Sequence, residues 1–301
     1  MIEKLIFWWS KIKFMGLWPW RRRYKIMDFD HTLDHALSTR CSISRFGDGE
    51  LGFALTAAKF GHTGSAFQKT DEQLCNRLLQ ILQDTTTPSD KIMISMVGFP
   101  LNLGCREFKR SSKVFWYYVG QYYAKKLCKV INMQRTYGEA AFTRFYISYK
   151  DKSGAQARFA RIKQLWNNDD LLIVEGEKSR LGVGNDIFDN AKSIRRILCP
   201  ATDAFSSYDE ILDIVKKEVK PTDTIVLALG QTATVLAYDL ALAGYRALDL
   251  GHIDIEYEWM RMGATTKVPI PGKFTNEAAG GNVVSDVDDS DYKSQIITII
   301  K

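Results

Sequence analysis

Apolar positions along the chain switch between two periods. Short, nearly continuous apolar runs of strand length occur at Cys41–Phe46, Lys91–Met96, Leu171–Val174, Thr224–Leu229 and Ala247–Leu250. Between them the spacing turns helical: after Glu50, over 71–83, over 111–130, over the basic stretch 153–167, and over 233–243, where Gly244 closes an apolar helix. Thr143–Ser148 reads as a further strand. Strand and helix signals alternate with no internal repeat and no long linker, which predicts an α/β fold with buried parallel strands. Residues 222–250 outline a complete βαβ unit.

Composition adds little until charge is located. The 301 residues are 46% hydrophobic, enough for a full core, and the net charge is +6. Residues 1–27 hold seven Lys and Arg against Glu3 alone, so the remaining basic and acidic residues balance at 34 each. A neutral body argues against a nucleic-acid partner. The basic arm, MIEKLIFWWSKIKFMGLWPWRRRYK, carries four of the seven tryptophans. Its uncharged runs are far shorter than the roughly 20 residues of a membrane span, and no signal-peptide cleavage pattern follows. Tryptophan beside lysine and arginine suits a helix lying peripherally on an anionic membrane face; docking on the body or on a second subunit of a homo-oligomer explains it equally well. Five widely spaced cysteines without C-x-x-C argue for a reducing, cytoplasmic setting rather than a disulfide or zinc framework. His31 and His35 lack an H-E-x-x-H context and read as structural or exposed. The arm (1–27), a catalytic body (28–280) and an acidic tail (281–301) are the expected divisions.

Three stretches carry candidate chemistry. In SISRFGDGELGFAL, Asp48 and Glu50 leave a strand beside two glycines, where both carboxylates can face one hard cation such as Mg²⁺ or Mn²⁺; Arg45 could meet a diphosphate. An Asp-Gly turn with Asp48 as helix cap is the plainer alternative. In DLLIVEGEKSRLGVGNDIF, Arg180, Gly182, Gly184, Asn185 and Asp186 form a loop expected to lead into a helix and to approach a phosphate, although it is neither G-x-G-x-x-G nor a Walker loop. Gly230 and Gln231 start a helix whose free N–H groups suit an anion. The run that follows, GHIDIEYEW, read as extended chain, puts His252, Asp254, Glu256 and Glu258 on one side, and one of them could act as a general base.

Taken together, RFGDGE, VEG-x-x-SR-x-GVGND, CPATDAF with YDEIL, LALGQTATVLAYDLALAGYRALDLGHIDIEYEW and GKFTNEA resemble the GT-D glycosyltransferases over about residues 40–280. That family is known from glucosyltransferases that extend glycans on streptococcal adhesins and from polysaccharide gene clusters. The resemblance implies a Rossmann-like, mostly parallel sheet with helices on both faces, a UDP-sugar donor (typically UDP-glucose), a glycan acceptor, and a D-x-E pair, here Asp48 and Glu50, associated with a divalent metal. Combined with the residue reading, the metal and Arg45, with Arg180, would neutralise the departing diphosphate. The glycine loops would seat the nucleotide, and Asp254 or Glu256 with His252 would activate the acceptor hydroxyl. Two other classes share parts of this pattern. A dinucleotide-dependent oxidoreductase or methyltransferase predicts a full glycine fingerprint, which is missing. A non-catalytic membrane-associated glycan-assembly module predicts that the acids of 252–258 are scattered or paired internally.

Overall fold

The computed structural model describes residues 2–60, 67–286 and 288–301. Helices α1 (Ile2–Gly16), α2 (Trp18–Arg21) and α3 (Phe29–Thr39) precede strand β1 (Ser42–Phe46). Helices α4 (Asp48–Ala57) and α5 (Glu72–Gln83) lead to β2 (Ile92–Met96), then α6 (Arg110–Leu127), β3 (Gly138–Glu139) and α7 (Ala155–Ile162). Strands β4 (Asp170–Gly176) and β5 (Ser193–Cys199) are joined without a helix. The remainder runs α8 (Tyr208–Glu218), β6 (Thr224–Ala228), α9 (Gln231–Leu242), β7 (Arg246–Asp249), α10 (Ile253–Arg261), α11 (Ser290–Gln295) and β8 (Ile296–Ile299).

The described strands form one sheet in the order β3-β2-β1-β7-β6-β4-β5-β8, with every pairing parallel. Alternate strand residues feed two cores, so the sheet is covered on both faces. Leu172, Val174, Ile225 and Leu227 pack with α4, α5, α8 and α9, while Leu171, Ile173, Val226 and Leu248 pack with α3, α7 and α10. Burial on both sides explains why these strands read as continuous apolar runs. The helices obey local rules as well: Asp71 caps α5 through the Leu74 amide, and Leu74, Leu78, Ile81 and Leu82 bury one stripe.

Four segments depart from the sequence reading. Thr143–Ser148 is not a strand; a 3-10 turn at Ala140–Thr143 runs into irregular chain, and the Tyr146 and Ile147 amides donate to the Glu256 carboxylate. The Gly182–Asp186 loop leads to β5 rather than a helix, and β5 itself is masked in sequence by the polar Arg195 and Arg196. Residues 251–259 are not extended: α10 begins at Ile253, every residue from Ile253 to Trp259 is buried, and over so short a run the alternation of residue types hides a helical period that is also present. The acidic tail contributes β8, which extends the sheet beside β5. The arm docks as well: Phe14, Leu17 and Tyr24 are buried, and the Tyr24 hydroxyl donates to the Ala124 carbonyl of α6.

Candidate active site

The carboxyl ends of the central strands open into one cavity of about 670 Å³. Gly47–Glu50 reach it from β1, Val97 and Phe99 from β2, Ser179 and Leu181 from β4, Gly230 and Gln231 from β6, and Gly251 and His252 from β7. This is the edge where open parallel sheets bind ligands. Three helices, α4, α9 and α10, start at this edge, and none of them has a side-chain cap. The first turn of α9 carries no acidic residue, so its N–H groups give the cavity a positive edge suited to an anion, while Asp48 and Glu50 occupy the first turn of α4.

Two glycines at this edge are required by geometry. Gly230 has φ +55°, and a Cβ there would lie 2.3 Å from the Phe67 ring. Gly251 has φ +51°, and its Cβ would lie 1.7 Å from a guanidinium nitrogen of Arg45.

Asp48 and Glu50 occupy the first turn of α4, with Gly47 as N-cap, so Asp48 is not the cap. Both line the cavity. The Glu50 carboxylate folds back over Gly47, where a Cβ would approach Oε2 to 2.8 Å. Burial, with Asp249 and Asp48 nearby, pushes the Glu50 carboxyl up to about 7. Burial also raises Asp48, against the pull of Arg144. Among the described residues no three His, Cys, Asp or Glu side chains converge to hold a metal. Two carboxylates are fewer ligands than a closed protein site supplies, a number compatible with Mg²⁺ only where water and substrate phosphates complete its shell.

Arg45 lines the cavity with its guanidinium already engaged. It pairs with Asp249 at 3.4 Å and donates to the Ala140 carbonyl and the Thr143 hydroxyl. Arg180 points elsewhere: it donates to the Gly272 and Ser285 carbonyls and is not part of the cavity wall. Gly182, Gly184, Asn185 and Asp186 also lie off the wall. Their loop braces α10. The Gly182 amide and the Asn185 amide group donate to Asp254, Asn185 also reaches Glu258, and Asp186 accepts from the Tyr257 hydroxyl. Gly230 and Gln231 do reach the cavity.

The four ionisable groups of 252–258 separate once the segment is helical. His252 faces the cavity and bonds Asn276 through Nε2 at 2.9 Å. Burial and the nearby Arg144 lower its pKa, keeping the imidazole neutral. Asp254 touches the cavity but is buried against Lys273 at 2.7 Å, besides Gly182 and Asn185. Glu258 shares Lys273. Glu256 points away, to the Tyr146 and Ile147 amides, with Arg144 at 3.9 Å. Three of the four acids and bases are thus internally paired.

Sequence reasoning passed over several wall residues. Arg144 bridges Glu277 and Glu256, and Lys267 pairs with Glu277. Although burial works the other way, Arg144 and Lys267 hold Glu277 well below the usual carboxylate range. Asn276 and Glu277 lie in the GKFTNEA stretch, which was the available signal; Arg144 had none. The aromatic stretch of α6 reads as core, and Tyr117 and Tyr123 are buried, but Phe115 and Trp116 join Phe67, Phe99, Phe108 and Phe274 on the cavity wall. The Tyr123 hydroxyl donates to the Asp48 carbonyl and fixes the start of α4.

Comparison with known proteins agrees with this geometry. Residues 43–278 match the family described as glycosyltransferase GT-D fold. A probable glycosyl transferase, Gly, of Streptococcus gordonii is 37% identical over 279 residues, covering 93% of this chain and 39% of the relative. Glycosyltransferase GlyD of Streptococcus pneumoniae serotype 4 is 38% identical over 281 residues, covering 92% of this chain and 32% of the relative. The chain therefore spans well under half the length of these relatives. A solved domain of unknown function 1792, described as having a distinct glycosyltransferase fold, is similar with a TM-score of 0.86 at 35% identity, covering 96% of this chain and all of its own. A glycosyltransferase with that domain from Streptococcus sanguinis gives 0.83 at 35% identity, covering 92% and 100%.

Proposed function

The chain belongs to the GT-D glycosyltransferase family, and from that premise we propose that it moves a hexose, glucose first among candidates, from a UDP-sugar to a hydroxyl of a glycan or glycoconjugate. The observation that carries this reading is the meeting of three uncapped helix starts with Asp48 and Glu50 on one aromatic-walled cavity. Its volume of about 670 Å³ lies within the usual range for small-molecule sites. The start of α9 favours a diphosphate, and the rings offer flat faces to a base or a sugar.

Asp48 and Glu50 are the residues that would hold Mg²⁺ or Mn²⁺, which supplies charge neutralisation to a departing diphosphate. Gly230 and Gln231 would bind the phosphates through the first turn of α9. Arg45 acts from behind: by fixing Asp249 and the 140–143 turn it sets the cavity floor. Among the groups weighed as base, His252 has the strongest geometric claim. Its imidazole is neutral, and with Asn276 presenting its oxygen to Nε2–H, Nδ1 is left to accept the acceptor's proton. Asp254 already receives three donors and acts as a positioning residue for α10.

The test is a panel of UDP-sugars assayed for transfer and for donor hydrolysis, with and without Mn²⁺. Turnover of one UDP-hexose that requires the metal supports the reading. Absence of turnover with every UDP-sugar, alongside binding of NAD or S-adenosylmethionine, overturns it.

A further inference from the structure

Helix α1 has two apolar faces and only one is covered. Phe7, Ser10, Phe14 and Leu17 turn inward against α6 and the core, and Arg21 crosses the Phe14 ring at 3.5 Å. At 100° per residue Leu5, Trp8, Trp9, Ile12 and Met15 fall on the opposite side, where each is more than half exposed. Single exposed apolar residues are ordinary, but five on one arc mark an interaction surface. Lysines edge the arc: Lys11 lies over the Trp8 ring at 4.7 Å and Lys13 over the Trp9 ring at 4.8 Å.

Continuous with this arc is a basic hollow of about 430 Å³ lined by Lys4, Phe7, Trp8, Arg110, Lys113 and Lys150. Among the described residues none of its four cations has a carboxylate within ion-pair distance. Lys113 and Lys150 instead face each other, and burial together with that like charge lowers the Lys113 pKa. Such an arrangement is relieved when an anion enters.

We infer that α1 docks on an anionic bilayer surface, with Trp8, Trp9 and Ile12 at the boundary between headgroups and acyl chains and a lipid phosphate seated among Arg110, Lys113 and Lys150. Tryptophan faces rimmed by lysine are suited to that interface. No helix among the described residues is long and apolar enough to cross a membrane, so α1 lies on the surface. Charge argues against a second copy as the occupant: a two-fold contact through this face would bring Lys4, Lys11 and Lys13 of both copies together.

The experiment is co-sedimentation of the full chain with vesicles of phosphatidylcholine alone or mixed with phosphatidylglycerol. The anionic vesicles should bind at least about 25-fold more tightly, as each basic residue near such a surface is worth about fivefold and at least two engage it. Lys113→Gln with Lys150→Gln should weaken that binding by about 25-fold on the same scale. Trp9→Ser with Ile12→Ser should abolish it while the melting temperature and sugar transfer stay unchanged. Inorganic phosphate should not displace the protein from vesicles. Equal partition onto both vesicle types, sedimentation with neither, displacement by phosphate, or a dimer that Trp9→Ser with Ile12→Ser converts to monomer would each overturn the inference.

Discussion

In the folded chain the Glu50 carboxyl titrates near 7 rather than 4.5. The folded state therefore keeps a proton that the unfolded state has released between those values, so stability falls as pH rises through that window and the full cost is present above it. Without metal, Glu50→Gln should be more stable than the parent at pH 8, by up to about 3 kcal/mol, with the gap closing near pH 5; urea unfolding at both pH values checks this, and a variant less stable at pH 8 contradicts it. The same residue should make metal-dependent turnover fall on acidification through about pH 7. Replacing His252 by Ala should lower kcat by about 10²–10⁴ with a smaller change in KM, read from a rate profile against pH and substrate. Asp48 and Glu50 were legible because the glycines and the strand before them sit in one short run. Arg144 was not, nor was its pairing with Glu277, because 133 positions separate them and only the folded chain brings their charges together.

Among the elements, α10 shows how a pattern can mislead. Alternating acid and apolar residues suggest a strand, yet the same segment also has helical spacing, and over a helix of 9 residues the two periods overlap. Its acids serve the fold: Lys273 sits between Asp254 and Glu258. Lys273→Met leaves two buried carboxylates without their cation and should destabilise by about 3–5 kcal/mol, seen as a lower urea midpoint at unchanged slope. Helix α1 was set apart in sequence by its charge, and only its outer face justifies that division. Phe14 is 5% exposed, so Phe14→Ala should cost about 3 kcal/mol, and deleting residues 1–25 should lower the melting temperature well beyond what Trp9→Ser with Ile12→Ser does. A deletion that melts like the parent would return α1 to the status of a detachable arm.

Across the whole molecule, the alternation of apolar strand runs and helical spacing was enough to anticipate a parallel α/β sheet, since strands buried on both faces advertise themselves. Strand order was not available, nor was β8, whose four residues end a segment dominated by acids. The distant segments that matter, around Asp48, Gly230 and His252, do meet at one edge of the sheet because β1, β7 and β6 are neighbours there. Arg180 and Gly182–Asp186 do not meet them: the loop after β4 touches the cavity only through Ser179 and Leu181, and its remaining residues support α10 and the segment before β8. The most direct measurement of the central claim is calorimetric titration of UDP into the full chain with Mn²⁺, with chelator, and into Asp48→Asn. The account predicts metal-dependent binding that weakens at least about tenfold in both of the latter conditions, in line with the loss of one charge-assisted contact; UDP affinity indifferent to Mn²⁺ and to Asp48 would contradict it.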